Sequence, residues 1–301
     1  MLTLDLHVGP GRNPLPVHLG GVLHGFVEGG VKNHAPQLLP ILRPNGPDLP
    51  AHFMILPPPI GAPSGDRLRF AVILYGQAAT ASREILGALL AQQACGLNAR
   101  QIQIEQAWCA HPGSETAALL EEGRLLDSPL MRPSVHCDIS PLERQGSGHL
   151  HRLSFRSPLL LASRKAQRER ERLATGLPWP SLGSVLDSIA DRMRILEPEL
   201  ADALGLPPNW TAPDAAHQIE PLTPAATPAQ QIEWEYTATP RSASGEAPAG
   251  RRTLPIPGIV GDLIYPSTGI EHEHALLHWG QWLGVGQKTT MGCGSYALLS
   301  R

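Results

Sequence analysis

Four glycines near the end of the chain, Gly284, Gly286, Gly292 and Gly294, stand in a G-x-G-x5-G-x-G pattern around Lys288, Thr289 and Thr290. Glycine admits positive φ and lets backbone N–H groups come close to an anion. A lysine adds a point charge and the threonines add hydroxyl donors, so this set is able to hold a phosphate. The same glycines also suit a tight connection that binds nothing. Proton transfer near neutral pH calls for histidine, and His24, His34 and His52 fall in one early region. Of these, His34 follows Lys32 and Asn33 at an expected helix end, where a ligand has access. The segment RKAQRERER, Arg164 to Arg172, offers Arg164 and Arg168 as an RNA clamp, although Glu169 and Glu171 interleave and suit a self-paired helix face equally. Arg251 and Arg252 open a later strand and, like Arg241, could reach an anionic backbone. In EHEHALLH, His274 and His278 lie four apart and could share a metal with Glu271, or with His272. No second carboxylate or cysteine stands at ligand spacing, so the segment reads as polar helix surface and neither metal nor cofactor is expected.

Two look-alikes fail on spacing. A P-loop needs a glycine directly before its lysine and another five residues earlier, whereas here Gln287 precedes Lys288 and Trp282 takes the other place. A dinucleotide fingerprint needs a long helix after its glycines, and SYALL after Gly294 reads as a strand.

The elements that must position these residues follow from periodicity. MLTLDLHV alternates as a half-buried strand. Leu19, Val22, Leu23, Phe26 and Val27 recur at helical spacing, in a helix whose many glycines require tertiary support and which Asn33 and Pro36 end. AHFMIL and RLRFAVILYGQA read as strands, ASREILGALLAQQA as a helix and RQIQIEQAW as a strand. This β, α, β, β, α, β order is the ferredoxin-like split unit. It recurs: HLHRLSFRSPLLL, the amphipathic helix SLGSVLDSIADRMRIL, QIEWEYTA, RRTLPIPGIVGDLIY, the helix EHEHALLHWGQWLG and GSYALLS. The fold expected is α+β, two tandem ferredoxin-like domains at 1–111 and 149–301, with 112–148 as linker or insertion. LPPNWTAPDAAHQIEPLTPAATPAQ reads as an exposed, mobile loop.

The 301 residues, 42% hydrophobic, suffice for two cores. No apolar run reaches the roughly 20 residues that cross a bilayer, and the first residues lack a signal-peptide pattern. A cytoplasmic protein without membrane partners is expected. Cys95, Cys109, Cys137 and Cys293 form no C-x-x-C pair, which argues against a zinc knuckle. A net charge of −3 does not by itself suggest nucleic acid. Of 24 basic side chains, however, only Lys32, Lys165 and Lys288 are lysines, and arginine suits stacking and bidentate contacts to RNA.

GIVGDLIY, a helix and GQWLGVGQKTTMGCGSYAL resemble the C-terminal glycine-rich loop region of the CRISPR-associated repeat-RNA endoribonucleases, family six of the Cas proteins in the repeat-associated mysterious protein (RAMP) superfamily. Three further segments resemble that family in the same order: RLRFAVILYGQA with GLNARQIQIEQAW, HRLSFRSPLLL with SLGSVLDSIADRMRIL, and RRTLPIPGIVGDLIY. The resemblance implies binding of CRISPR repeat RNA and metal-independent cleavage by the ribose 2′-hydroxyl, giving guide RNA (crRNA) with a 2′,3′-cyclic phosphate. It also implies partnership with other Cas proteins. A non-catalytic RAMP subunit that holds guide RNA in an effector complex is the alternative. Placed on the family pattern, LHGFVEGGVKNHAPQLLPILRPNG puts Arg43 at the catalytic position and Glu28 at that of a helper tyrosine. His34, His24 and Arg43 are thus the catalytic candidates. The RNA-binding candidates are the four glycines with Lys288, Thr289 and Thr290, together with Arg164, Arg168, Arg251 and Arg252.

Overall fold

The computed structural model describes residues 1–10, 15, 18–44, 50–58, 66–97, 100–110, 117–121, 124–126, 150–161, 179–222, 230–238 and 252–300. Alternation puts Leu2, Leu4, Leu6 and Val8 of β1 (Leu2–Val8) on one buried face. Antiparallel partners flank β1: β3 (Arg67–Leu74), with Leu4 opposite Phe70, and β4 (Ile102–Cys109), with a register shift at Asp5 and Leu6. Outside β3 lies β2 (Phe53–Leu56), and β5 (Ala117–Glu121) with β6 (Arg124–Leu125) extends the sheet beyond β4. The order is β2-β3-β1-β4-β5-β6, whose first four strands have the ferredoxin-like arrangement. Residues 117–125 therefore add two strands to the first sheet.

α1 (Gly20–His34) turns Leu23, Phe26, Val27 and Val31 into the first core. Its glycines permit close packing on α4 (Ser82–Gln92): a Cβ at Gly30 would come within 3.0 Å of Leu89. Pro36 follows the end of α1, and a 3-10 turn (Pro36–Leu38) and α2 (Leu39–Leu42) lead to Arg43. A second short helix, α3 (Gln77–Thr80), precedes α4.

The second sheet has the order β10-β7-β9-β8, built from β7 (Leu150–Leu159), β8 (Gln230–Ala238), β9 (Arg252–Pro266) and β10 (Tyr296–Ser300). RRTLPIPGIVGDLIY is one continuous strand. Pro255 and Pro257 fall where β9 pairs with β8 alone, a place that tolerates a missing N–H. α5 (Leu182–Leu196) is capped by Ser181, which accepts from the Ser184 N–H, and buries Leu182, Val185, Leu186, Ile189 and Met193. It packs against α8 (Glu273–Leu283), where Gly280 lets Ile189 and Tyr296 approach. Met54, Ile73 and Tyr75 of the first half lie in this second core, so the halves share apolar packing.

One expectation is corrected. Residues 206–222, read as part of a mobile loop, are held in place beside α6 (Pro198–Ala203) and include α7 (Asp214–His217). Asp187 accepts the Ala212 N–H at 2.7 Å, Arg194 donates to the carbonyls of Pro207 and Trp210, and Ala216 is fully buried. Composition suggested a loop because the segment lacks periodicity, but charged side chains of α5 supply the partners its backbone needs. Residues 223–229 lie outside the described residues. Among the described residues no helix is long and apolar enough to cross a membrane.

Candidate active site

The glycine-rich loop joins α8 to β10 and is folded back on itself. Gly284, Gly286, Gly292 and Gly294 all have φ between 72° and 80°, which glycine alone adopts without strain. Its N–H groups are largely committed within the protein. Val285 donates to Gly294 O, Gly286 to Ser188 Oγ on α5, Gln287 to Leu160 O, and Gly294 to Pro158 O. Met291, Gly292 and Cys293 close on the carbonyls of Lys288 and Thr289. The glycines are also pressed against neighbours: a Cβ at Gly294 would fall 1.8 Å from Val285 O, and one at Gly292 2.6 Å from Pro57. Thr289, in the 3-10 turn Thr289–Met291, is buried and Thr290 half-buried, while Gln287 and Lys288 are exposed at the apex. Lys288 itself is left-handed at φ 57°. The loop thus presents a charged tip on a rigid base.

The 3-10 turn that follows the tip lies against the start of α1. A Cβ at Gly20 would sit 1.7 Å from Met291 O, and His18 Nε2 is 3.0 Å from the same carbonyl. Burial holds the His18 imidazole below the usual histidine range, opposed by its bond to the Met291 carbonyl. One turn along the same helix face, ~6 Å further at 1.5 Å per residue, stands His24. Its Nε2 is 2.8 Å from Glu28 Oε2, and the Arg43 Nε donates to Glu28 Oε1 at 2.8 Å. His24 also stacks on Phe53 of β2, rings 5.8 Å apart and nearly parallel, with its Nδ1 buried and unpartnered. The bond from His24 and the charges of His24 and Arg43 hold the Glu28 carboxyl down at about 2, against the pull of burial. Glu28 is therefore an anion that fixes one edge of the Arg43 guanidinium. The two Nη groups of Arg43 have no other partner among the described residues and suit a phosphate.

The structure thus joins His24 and Arg43 through Glu28, and leaves His34 apart. His34 is exposed at the far end of α1, ~15 Å from His24 along the helix at 1.5 Å per residue. His52 precedes Phe53, with both ring nitrogens buried and unpartnered and its pKa lowered by burial. Arg164, Arg168, Arg241 and Arg251 lie outside the described residues, and Arg252 opens β9 opposite Ala238. The EHEHALLH segment is divided by its backbone. His272 is left-handed before α8, and Glu273 is buried, bonded to His151 at 2.5 Å and to Thr268. Glu271 is exposed, and the His274 and His278 rings are lowered in pKa, chiefly by burial. Among the described residues no group of three or more His, Cys, Asp or Glu is placed to hold a metal ion.

Sequence reasoning missed His18, Tyr75 and Arg192, each of which grips the glycine-rich loop or the helix turn before it. Only the placing of Tyr75 just before Gly76, after a buried strand, gave a signal.

Two antiparallel sheets in ferredoxin-like strand order, with a glycine-rich loop returned to the first helix, define a tandem ferredoxin-like protein. The family model of the CRISPR-associated endoribonuclease Cas6 matches residues 153–296. That match spans 144 of the 301 residues. Its fold is similar to that of a Thermus thermophilus Cas6 in a product complex, with 17% identity, a TM-score of 0.53, and coverage of 99% of this chain and 98% of that one. A chain of a partial Cas6-RT-Cas1–Cas2 complex is matched with 17% identity and a TM-score of 0.54, over 100% of this chain and 45% of that one. No curated protein sequence matches.

Proposed function

We propose that this protein cuts CRISPR repeat RNA within the strand, through attack of the ribose 2′-hydroxyl on the adjacent phosphate. The products are a 2′,3′-cyclic phosphate and a free 5′-hydroxyl. The observation that carries this reading is the packing of the glycine-rich loop, through Met291, on the first turn of α1, the helix that bears the His24–Glu28–Arg43 cluster. Arg43, oriented by Glu28, donates to the non-bridging oxygens as charge builds on the phosphorane. Lys288 and Thr290 grip a neighbouring phosphate, with the glycines shaping the loop beneath them. His24 is the candidate for moving a proton there. The scheme assigns each proton transfer to a side chain or to solvent and calls for no metal. The two units of residues 1–111 and 149–301 share the RNA, and other Cas proteins are its further partners, in the cytoplasm.

A second reading rests on one observation: His24 spends Nε2 on Glu28 and keeps Nδ1 buried. With no exposed base beside Arg43, the protein would hold guide RNA as a RAMP subunit without cutting it. Incubation with labelled repeat RNA in excess EDTA, beside RNA carrying a single 2′-deoxy at each candidate position, decides. Cleavage that survives EDTA and stops at one deoxy position supports the nuclease; tight binding without cleavage supports the guide-holding subunit.

A further inference from the structure

The last turn of α8, from which the glycine-rich loop springs, ends in the protein interior. The final carbonyls of a helix have no partner within it and must find one elsewhere. Two are met by buried side chains from opposite halves of the chain. Tyr75, directly after β3 and 2% exposed, donates its hydroxyl to Trp282 O at 2.7 Å. Arg192 of α5, 6% exposed, donates from Nε to Leu283 O at 2.8 Å. Beside them Gly76, with φ 49°, donates its N–H to Glu197 at the end of α5, a second tie between the halves.

Arg192 is an expensive way to satisfy one carbonyl. The Tyr75 hydroxyl is also a neighbour of the guanidinium, but the Arg192 Nη2 is buried without a partner, and among the described residues no carboxylate forms an ion pair with it. A buried guanidinium in that state costs stability compared with an apolar side chain of similar size. What it supplies is direction: a planar donor aimed at one oxygen. The next residue, Gly284, lies so close to Met54 of β2 that a Cβ would be 2.6 Å from its sulfur, so the loop begins flush against the first half. Its other end is fixed by His18 and Gly20 of α1 at Met291. Lys288 is carried between these two anchorages.

We propose that Tyr75 and Arg192 are positioning residues for RNA cleavage, a latch between the two halves that sets the place of Lys288 relative to the Glu28–Arg43 pair without touching RNA. The proposal rests on the nuclease reading above. Displacement of a reacting group by about 1 Å costs on the order of 100-fold in rate, and a loop hinged at one end only would allow such a displacement.

The test uses Tyr75→Phe, which removes the hydroxyl that bonds Trp282 O and neighbours Arg192, and Arg192→Leu, which removes the donor and keeps bulk. Amide hydrogen exchange of the RNA-free protein comes first. Exchange across Val285–Cys293 is expected to quicken about tenfold in Tyr75→Phe, the worth of one hydrogen bond, with the sheets unchanged. Single-turnover cleavage at saturating repeat RNA is expected to fall about tenfold in the same variant while the Kd for RNA rises no more than several-fold. Arg192→Leu is expected to repeat this pattern. Unchanged loop exchange in both variants overturns the latch, and so does a uniform rise across the chain, which marks a merely structural role. Parent-like cleavage in spite of a loosened loop also overturns it. A parent protein that binds but does not cut defeats the nuclease reading alone, because loop exchange in the RNA-free protein still decides whether the latch exists.

Discussion

α1 and α5 hold the same place in the two halves, the first helix of each β, α, β, β, α, β unit, and they spend their polar residues differently. On α5, Ser188 receives the Gly286 N–H, Arg192 reaches Leu283 O, Asp187 holds the Ala212 N–H, and Arg194 holds two carbonyls of the 206–222 segment. Each is bound to backbone. On α1, Glu28 pairs with both His24 and Arg43, and the Arg43 Nη groups have no partner among the described residues. One helix spends its polar groups on the chain's own backbone; its counterpart gathers side chains into a cluster. Equivalent positions of a repeated fold can thus carry different polar arrangements without a change of strand order.

The strongest test of this contrast is Arg43→Ala, which is expected to lower single-turnover cleavage about 100-fold or more, the effect of losing one charge-stabilising donor. RNA affinity should change much less, and loss confined to binding would move the chemistry away from α1. Next comes the contact between α1 and the loop. Gly20→Ala places a methyl against Met291 O and is expected to destabilise by roughly 1–3 kcal/mol, read as a lower midpoint in chemical denaturation. Glu28 gives a smaller, pH-dependent effect. Because its folded pKa lies at about 2, below the ordinary 4.5, its contribution is complete above pH 4.5 and is lost as the pH falls toward 2. Denaturation of Glu28→Gln beside the parent should therefore show a gap of about 1 kcal/mol at neutral pH that closes in acid. Smallest is Lys288→Ala, expected to weaken RNA binding several-fold and to reduce the slope of log Kd against log salt by about 1. Unaltered affinity and slope would remove the loop tip from the RNA contact.

Much of the architecture was legible because it is periodic. The alternation of Leu2, Leu4, Leu6 and Val8, and the helical spacing of Val185, Leu186, Ile189 and Met193, each state which face is buried. The site was legible only in part, because its contacts join distant residues. Glu28 and Arg43 stand 15 apart, and Tyr75 meets Trp282 across 207 positions, with no local pattern to announce either. The glycine-rich loop shows a different limit. Its composition fits an anion nest, yet most of its N–H groups are consumed by packing, and what the loop exposes is the tip at Gln287 and Lys288. Glycine reports that backbone must approach closely, and leaves unsaid whether protein or phosphate is what approaches.

The apolar packing shared between the halves, with Met54, Ile73 and Tyr75 of the first sheet inside the second core, carries a consequence for how the molecule melts. Neither half can lose its order without exposing side chains on which the other depends. Calorimetry should accordingly record a single endotherm whose van't Hoff and calorimetric enthalpies agree, in contrast to the paired transitions of two beads on a string.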